Sequence, residues 1–207
     1  MPALQYGETV MKSVVIFLVL SGSLMLTGCV RSLNPLYTEQ DLIYDNSLVG
    51  VWIDNETGET WAFSNGGKLE YKLLHTEDDG RSGEFSARLV RVEDKTFLDI
   101  VPVKSGFSQS DFYQSHFLPT HTFAHIVRKD STVQISMLEP QWLKDLLADN
   151  PEAIRHEKIN GEIVLAASPK ETQKLLYANL NTKEAFSRPF ELTRKHGVSR
   201  ARTNSFR

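Results

Sequence analysis

Apolar and polar residues alternate along most of the chain from Leu48 to Pro102. Leu48-Val49-Gly50-Val51-Trp52-Ile53 is a short apolar run, and Asp54-Asn55-Glu56-Thr57-Gly58 after it has turn composition. Thr60-Trp61-Ala62-Phe63 alternates, Ser64-Asn65-Gly66-Gly67 turns again, and Leu69, Tyr71 and Leu73 alternate with Glu70 and Lys72 up to Asp78-Asp79-Gly80. Phe85, Ala87 and Leu89 share one face, and Glu93-Asp94-Lys95 then leads into Thr96-Phe97-Leu98-Asp99-Ile100-Val101-Pro102. A period of two with turn signals at short intervals predicts antiparallel strands joined as hairpins. Further strands are predicted at 122–128, 132–137, 159–165 and 189–194. About eight or nine strands in one small, mainly β domain favour a closed barrel, because closure removes exposed edges.

Helical spacing interrupts this pattern in the C-terminal half. Gln141-Trp142-Leu143-Lys144-Asp145-Leu146-Leu147 puts Trp142, Leu143, Leu146 and Leu147 on one face, and Asn150-Pro151 ends it. Ser168-Pro169-Lys170-Glu171 is a capping box that opens a helix running through Leu175, Leu176 and Ala178. Short helical turns are expected at 151–156 and 181–184. Two or three short helices are thus expected to cover one opening or one flank of the sheet.

The N-terminal stretch has a different character. Met11-Lys12 precedes an uncharged run from Val14 to Gly28, about 22 Å if helical, which is short of the ~30 Å core of a bilayer. This reads as an export signal over residues 1–28, with Met11 as the candidate true start. Cys29 is the only cysteine, so its place in the chemistry matters: nucleophile, metal ligand, buried filler or attachment point. Leu26-Thr27-Gly28-Cys29 resembles the bacterial lipobox. That resemblance implies signal-peptidase recognition through Leu26, Thr27 and Gly28, then a mature chain whose first residue, Cys29, carries diacylglycerol on sulfur and an N-acyl chain. Two or three acyl chains make a firm anchor where one is marginal. Val30 stands where an Asp is the usual inner-membrane retention mark, so the expected place is the periplasmic face of the outer membrane.

The mature chain divides into a lipidated tether and lead-in (29–46), a barrel domain (47–194) and a basic tail (195–207). Leu33, Leu36, Tyr37, Leu42, Ile43 and Tyr44 are too apolar for a free linker, so the chain from Pro35 onward is expected to lie against the domain. After Glu191 come Arg194, Lys195, Arg200, Arg202 and Arg207 with no acid, and the composition of the tail reads as disordered. The remaining mature chain is acidic, which argues against nucleic acid as a partner of the folded part.

Gly50-Val51-Trp52 on the first strand of the series and the late Phe190-Glu191-Leu192-Thr193-Arg194 resemble a lipocalin-like, or calycin, barrel. The resemblance implies that Gly50 turns the strand at a closed end, Trp52 plugs that end and Arg194 covers the Trp ring. Trp61, Phe63, Tyr71, Phe85 and Phe97 are then the candidate lining of a ligand cavity. The whole chain, with Ser32-Leu33-Asn34-Pro35-Leu36-Tyr37 directly after the cysteine, also resembles a group of bacterial lipoproteins with no assigned activity, which implies a location and no reaction.

Candidate chemistry is sparse. His121 and His125 share a strand face, but four residues put their backbones about 13 Å apart, too far for one ion, and His116 reaches them only through a loop. Asp99 shares a face with Phe97 and Val101; the register that leaves it in water is the expected one. No Ser-His-Asp pattern, phosphate loop or zinc spacing is present, so no catalytic residue, metal or cofactor beyond the acyl chains is expected. The expectation is a non-enzymatic envelope lipoprotein: a structural or interaction module with an exposed apolar patch around Trp142, or, as the alternative, a carrier of a small apolar or amphipathic ligand.

Overall fold

The computed structural model describes residues 28–103 and 116–195. Residues 1–27, Leu26 and Thr27 among them, and residues 196–207 lie outside the described residues. In chain order the elements are β1 (Arg31–Ser32), a 3-10 turn (Glu39–Asp41), β2 (Leu42–Ile43), a second 3-10 turn (Asn46–Leu48), β3 (Gly50–Asp54), β4 (Thr60–Gly67), β5 (Glu70–Thr76), β6 (Ser82–Val92) and β7 (Lys95–Pro102). There follow β8 (Thr122–Lys129), β9 (Thr132–Met137), α1 (Pro140–Asp149), β10 (His156–Ile159), β11 (Glu162–Leu165), α2 (Pro169–Asn179) and β12 (Phe190–Arg194).

Strands β3 to β9 form an antiparallel meander, and β6 pairs with β5 on one side and β7 on the other. The last strand, β12, lies between the two ends of the meander: Leu192 pairs with Val133 of β9 and Arg194 with Trp52 of β3. Eight antiparallel strands thereby close into a barrel. β2 adds a short extra strand, with Leu42 opposite Val90 and Ile43 opposite Leu89.

Alternation sends one set of side chains inward. Trp52, Phe63, Tyr71, Leu73, Leu89, Leu98, Ile100, Ile126, Val133, Ile135 and Leu192 pack there with Leu48 of the second 3-10 turn. The outer faces of β6, β7 and β8 are not left to water. Val90, Val92, Phe97 and Phe123 pack against Leu143 and Leu147 of α1, Leu176 of α2, Leu165 of β11 and Leu36 of the lead-in. The helices therefore cover a flank of the barrel and not an opening. On α2 the expected capping box is present, with the Ser168 hydroxyl accepting from the Glu171 N–H and the Glu171 carboxylate accepting from the Ser168 N–H at 2.9 Å.

Two expectations are corrected. The predicted strand over 159–165 is a hairpin of β10 and β11 turning at Asn160-Gly161, both at positive φ (52° and 84°), as a tight hairpin turn demands. It lies outside the barrel, in a three-stranded sheet where β11 pairs with β10 and runs parallel to β1. The lead-in packs from Val30 onward, not from Pro35, since Val30 is buried and Arg31–Ser32 is already paired strand.

Candidate functional site

One end of the barrel is shut by its own residues. Trp52 is fully buried, and its indole N–H donates to the Leu48 carbonyl at 2.8 Å. The Arg194 guanidinium lies 4.3 Å from the centre of the Trp52 ring, donates to the Val49 carbonyl at 3.0 Å and also bonds the Ser47 carbonyl. Gly50 has φ +144°, and a Cβ there would stand 2.4 Å from the guanidinium. Tyr71 exchanges bonds with the Asp45 backbone at 2.7 and 3.0 Å, and burial raises its pKa to about 12. This end is thus plugged by a buried indole under a guanidinium, with the Asp45 carboxylate capping Ser47 beside it.

The lead-in is fastened by two carboxylates, Asp99 on the barrel wall and its own Asp41, which reaches α2. Asp99 is buried on the outer face of β7, not in water as expected, because the lead-in and the neighbouring strand cover that face. Its oxygens accept from the Leu36 N–H at 2.7 Å and face His121 Nδ1 at 2.6 Å. Asp41 accepts from Lys170 at 2.7 Å, Gln173 at 2.9 Å and Thr38 at 2.8 Å. Burial alone would raise the Asp41 pKa, but these donors outweigh it and hold the carboxyl well below the usual range. His125 packs its ring 5.4 Å from that of Phe97, and burial, then the Lys95 charge, lowers its pKa. His121 and His125 therefore have separate partners.

The opposite end of the barrel is where Cys29 stands. A groove of about 360 Å3 is lined by Cys29, Arg31, Phe85, Ile100, Pro102, Thr120, Thr122 and Glu162, and a smaller cleft of about 60 Å3 brings Cys29 beside Pro140, Leu143, Lys144 and Ile163. Cys29 is exposed. The surrounding protein, and then the Glu139 carboxylate, nevertheless raise its thiol pKa, which does not suit a reactive thiolate. Gly28 has open space around it.

A third concavity lies between α1 and the segment before β12. It measures about 320 Å3 and is lined by Glu139, Gln141, Trp142, Asp145, Glu184, Phe186, Ser187 and Arg188. Its walls are tied by the Glu139 N–H to the Ala185 carbonyl at 3.0 Å and by the Ser187 hydroxyl accepting from the Met137 N–H at 2.9 Å. Two aromatic rings among three carboxylates suit a basic, apolar segment.

No family model, curated protein or solved structure matches this chain. What can be said of its site therefore rests on geometry.

Gly50, Trp52 and Arg194 come together at the shut end, and Trp61, Phe63, Tyr71 and Phe85 all face inward or pack on the inner core. Phe97 does not: it points outward into the layer under the helices. Four consecutive residues of β7, Phe97 to Ile100, are buried, so its apolar pattern carries no signal for which face is inside. Of the candidate lining, Trp61 is unusual in that its indole N–H is buried without a partner, as is the Tyr44 hydroxyl. The groove partners of Trp142, namely Glu139, Glu184, Phe186 and Arg188, were not foreseen, because residues 40 and more apart carry no local signal of meeting. Exposed Phe117 and Leu118 were not singled out, although an apolar pair before Pro119 in a loop was a signal that could have found them.

Proposed function

We propose that this chain is a lipid-anchored lipoprotein of the bacterial cell envelope, acylated on Cys29, whose calycin-like barrel is a non-enzymatic scaffold presenting the Trp142 groove to another envelope protein. The observation that carries the scaffold reading is the inner core: the side chains of all eight strands and Leu48 pack against one another inside the barrel. A site for a carried ligand instead needs a preformed cavity of a few hundred Å3. The exposed thiol with a raised pKa suits an attachment point better than a nucleophile. The outer membrane is the favoured destination because Val30 follows the cysteine.

The anchor is tested by the mass of the N-terminal peptide of the mature chain, expected to begin at Cys29 with acyl chains attached. The scaffold is tested by a photo-crosslinking residue at Trp142 in intact cells, with exposed Lys72 as the control. A discrete protein adduct at position 142 alone is expected. No adduct at 142, together with a small apolar molecule retained by the purified chain in native mass spectrometry, would replace the scaffold with the carrier.

One observation favours that second reading. The unpaired Trp61 N–H and Tyr44 hydroxyl are donors at the inner core, and a polar atom of a bound ligand is one way to satisfy them. If they serve a ligand, Trp61→Phe weakens its retention, whereas a barrel without a ligand gains stability from the loss of an orphan donor.

A further inference from the structure

Cys29 has no slack. Val30, the next residue, is buried, and Arg31–Ser32 is paired with Val164 and Leu165. Ser32 is further held by two backbone bonds with His121, at 2.9 and 2.8 Å, at the start of β8. One residue spans at most ~3.6 Å, so a lipid surface holding the Cys29 sulfur meets the wall of the domain and not a flexible stalk.

The wall it meets is the end of the barrel opposite Trp52. Pro102 at the end of β7 and Thr120 before β8 line the same groove as Cys29. Directly beyond them stand Val103, 47% exposed, and Phe117 and Leu118, 57% and 72% exposed. The other large exposed apolar residues among those described, Val51, Leu74, Ile159 and Tyr177, are spread over four different elements. Exposed apolar side chains at the end of the barrel that carries an acylated residue are what an interfacial contact would use. Lys144 in the cleft adds a basic group beside the cysteine, suited to anionic headgroups, whereas Arg31 in the groove is already paired with Glu162.

We propose that this end of the barrel is a membrane-docking face, with Val103, Phe117 and Leu118 resting in the headgroup region of the lipid surface to which Cys29 is anchored. The proposal rests on acylation of Cys29. It fixes the orientation of the barrel: the Trp52 end points away from the membrane, and the start of α1, with the Trp142 groove, lies toward the anchored end, since Pro140, Leu143 and Lys144 stand beside Cys29.

The test uses the full chain, processed in cells and purified in detergent, with Leu118→Cys, Val103→Cys or, at the far end of β8, Lys129→Cys. An environment-sensitive dye on the introduced thiol is read in vesicles of phosphatidylethanolamine and phosphatidylglycerol carrying a nitroxide lipid. Quenching of at least about twofold is expected at 118 and 103, and none at 129, ~23 Å along the strand from its membrane-proximal start. Equal quenching at 118 and 129 in chains whose mass shows an acylated Cys29 overturns the docking face and leaves the anchor standing. An unmodified Cys29 overturns both. A label at 118 open to aqueous iodide in vesicles but shielded in native membranes means a protein covers this face, and overturns the proposal as well. Circular dichroism of each labelled chain confirms that these exposed substitutions leave the fold intact.

Discussion

Gly50 and Arg194 are 144 positions apart and depend on one another. The guanidinium reaches the Ser47 and Val49 carbonyls only by passing over the backbone of residue 50, and the positive φ there suits glycine alone. Gly50→Ala is expected to cost roughly 1–3 kcal/mol, through the strained φ and a displaced Arg194. Arg194→Met keeps an apolar cover on Trp52 but loses the cation–π contact and two bonds, about 1–2 kcal/mol. Urea unfolding followed by tryptophan fluorescence measures both. The double variant is expected to cost less than the sum, because either change alone removes the same contact. Additive costs would show that Gly50 matters for its backbone alone. Asp41 gives a pH dependence with a definite sign. Its carboxyl pKa is lowered on folding, so its contribution is present above the ordinary value near 4 and is lost as pH falls below it. Asp41→Asn is expected to cost about 1–3 kcal/mol at pH 7. The gap between it and the parent chain is expected to stay constant from pH 5 to 7, to begin shrinking below about pH 4 and to continue shrinking as pH falls toward the lowered pKa; a gap as large near pH 2 as at pH 7 would mean that hydrogen bonding, and not charge, holds the lead-in at that point.

At the scale of elements, the barrel strands were legible where one face is buried and the other is wet. β5 shows this best: Tyr71 and Leu73 point in, and Lys72 and Leu74 point out. Legibility failed on β7, where both faces are covered and a period-two pattern has nothing to report. The placement of Phe97 and Asp99 there depends on the lead-in and helices, which come from distant parts of the chain. The β10–β11 hairpin was missed for another reason, since Asn160-Gly161 is a strong turn signal that was absorbed into one apolar run. Likewise no sequence pattern announces that Asp99 binds the Leu36 N–H, because a single backbone donor leaves no residue signature. The role of Asp99 in fastening the lead-in has a local readout. Asp99→Asn keeps the volume but removes the charge between the Leu36 N–H and His121. Hydrogen exchange is expected to quicken at Leu36 and its neighbours, while amides of β4 and β5 keep their protection. Uniformly faster exchange would mean that Asp99 supports the whole barrel and not the lead-in alone.

For the whole molecule, the order of closure follows from topology. Six consecutive antiparallel pairs build the meander from β3 to β9, five of them joined by short turns and β7 to β8 by the longer connection 103–121. β12 arrives after α1, the β10–β11 hairpin and α2, and must pair on both edges at once, with Ile135 opposite Phe190 on one side and Asp54 opposite Leu192 on the other. Bringing together segments separated by some 50 residues costs loop entropy that is recovered only when both edges have formed, so closure belongs on the native side of the folding barrier. Leu73 on β5 and Leu192 on β12 are both buried in the same inner core, which makes them a matched pair for testing this. Each change to Ala is expected to cost roughly 2–5 kcal/mol at equilibrium. Stopped-flow folding across a urea series separates them. Leu73→Ala is expected to slow refolding, because its hairpin belongs to the part that forms first. Leu192→Ala is expected to leave refolding almost unchanged and to speed unfolding by most of its equilibrium cost. If Leu192→Ala slows refolding as much as Leu73→Ala does, the barrel closes before the barrier, and β12 with its terminal Arg194 helps to nucleate the fold whose end it seals.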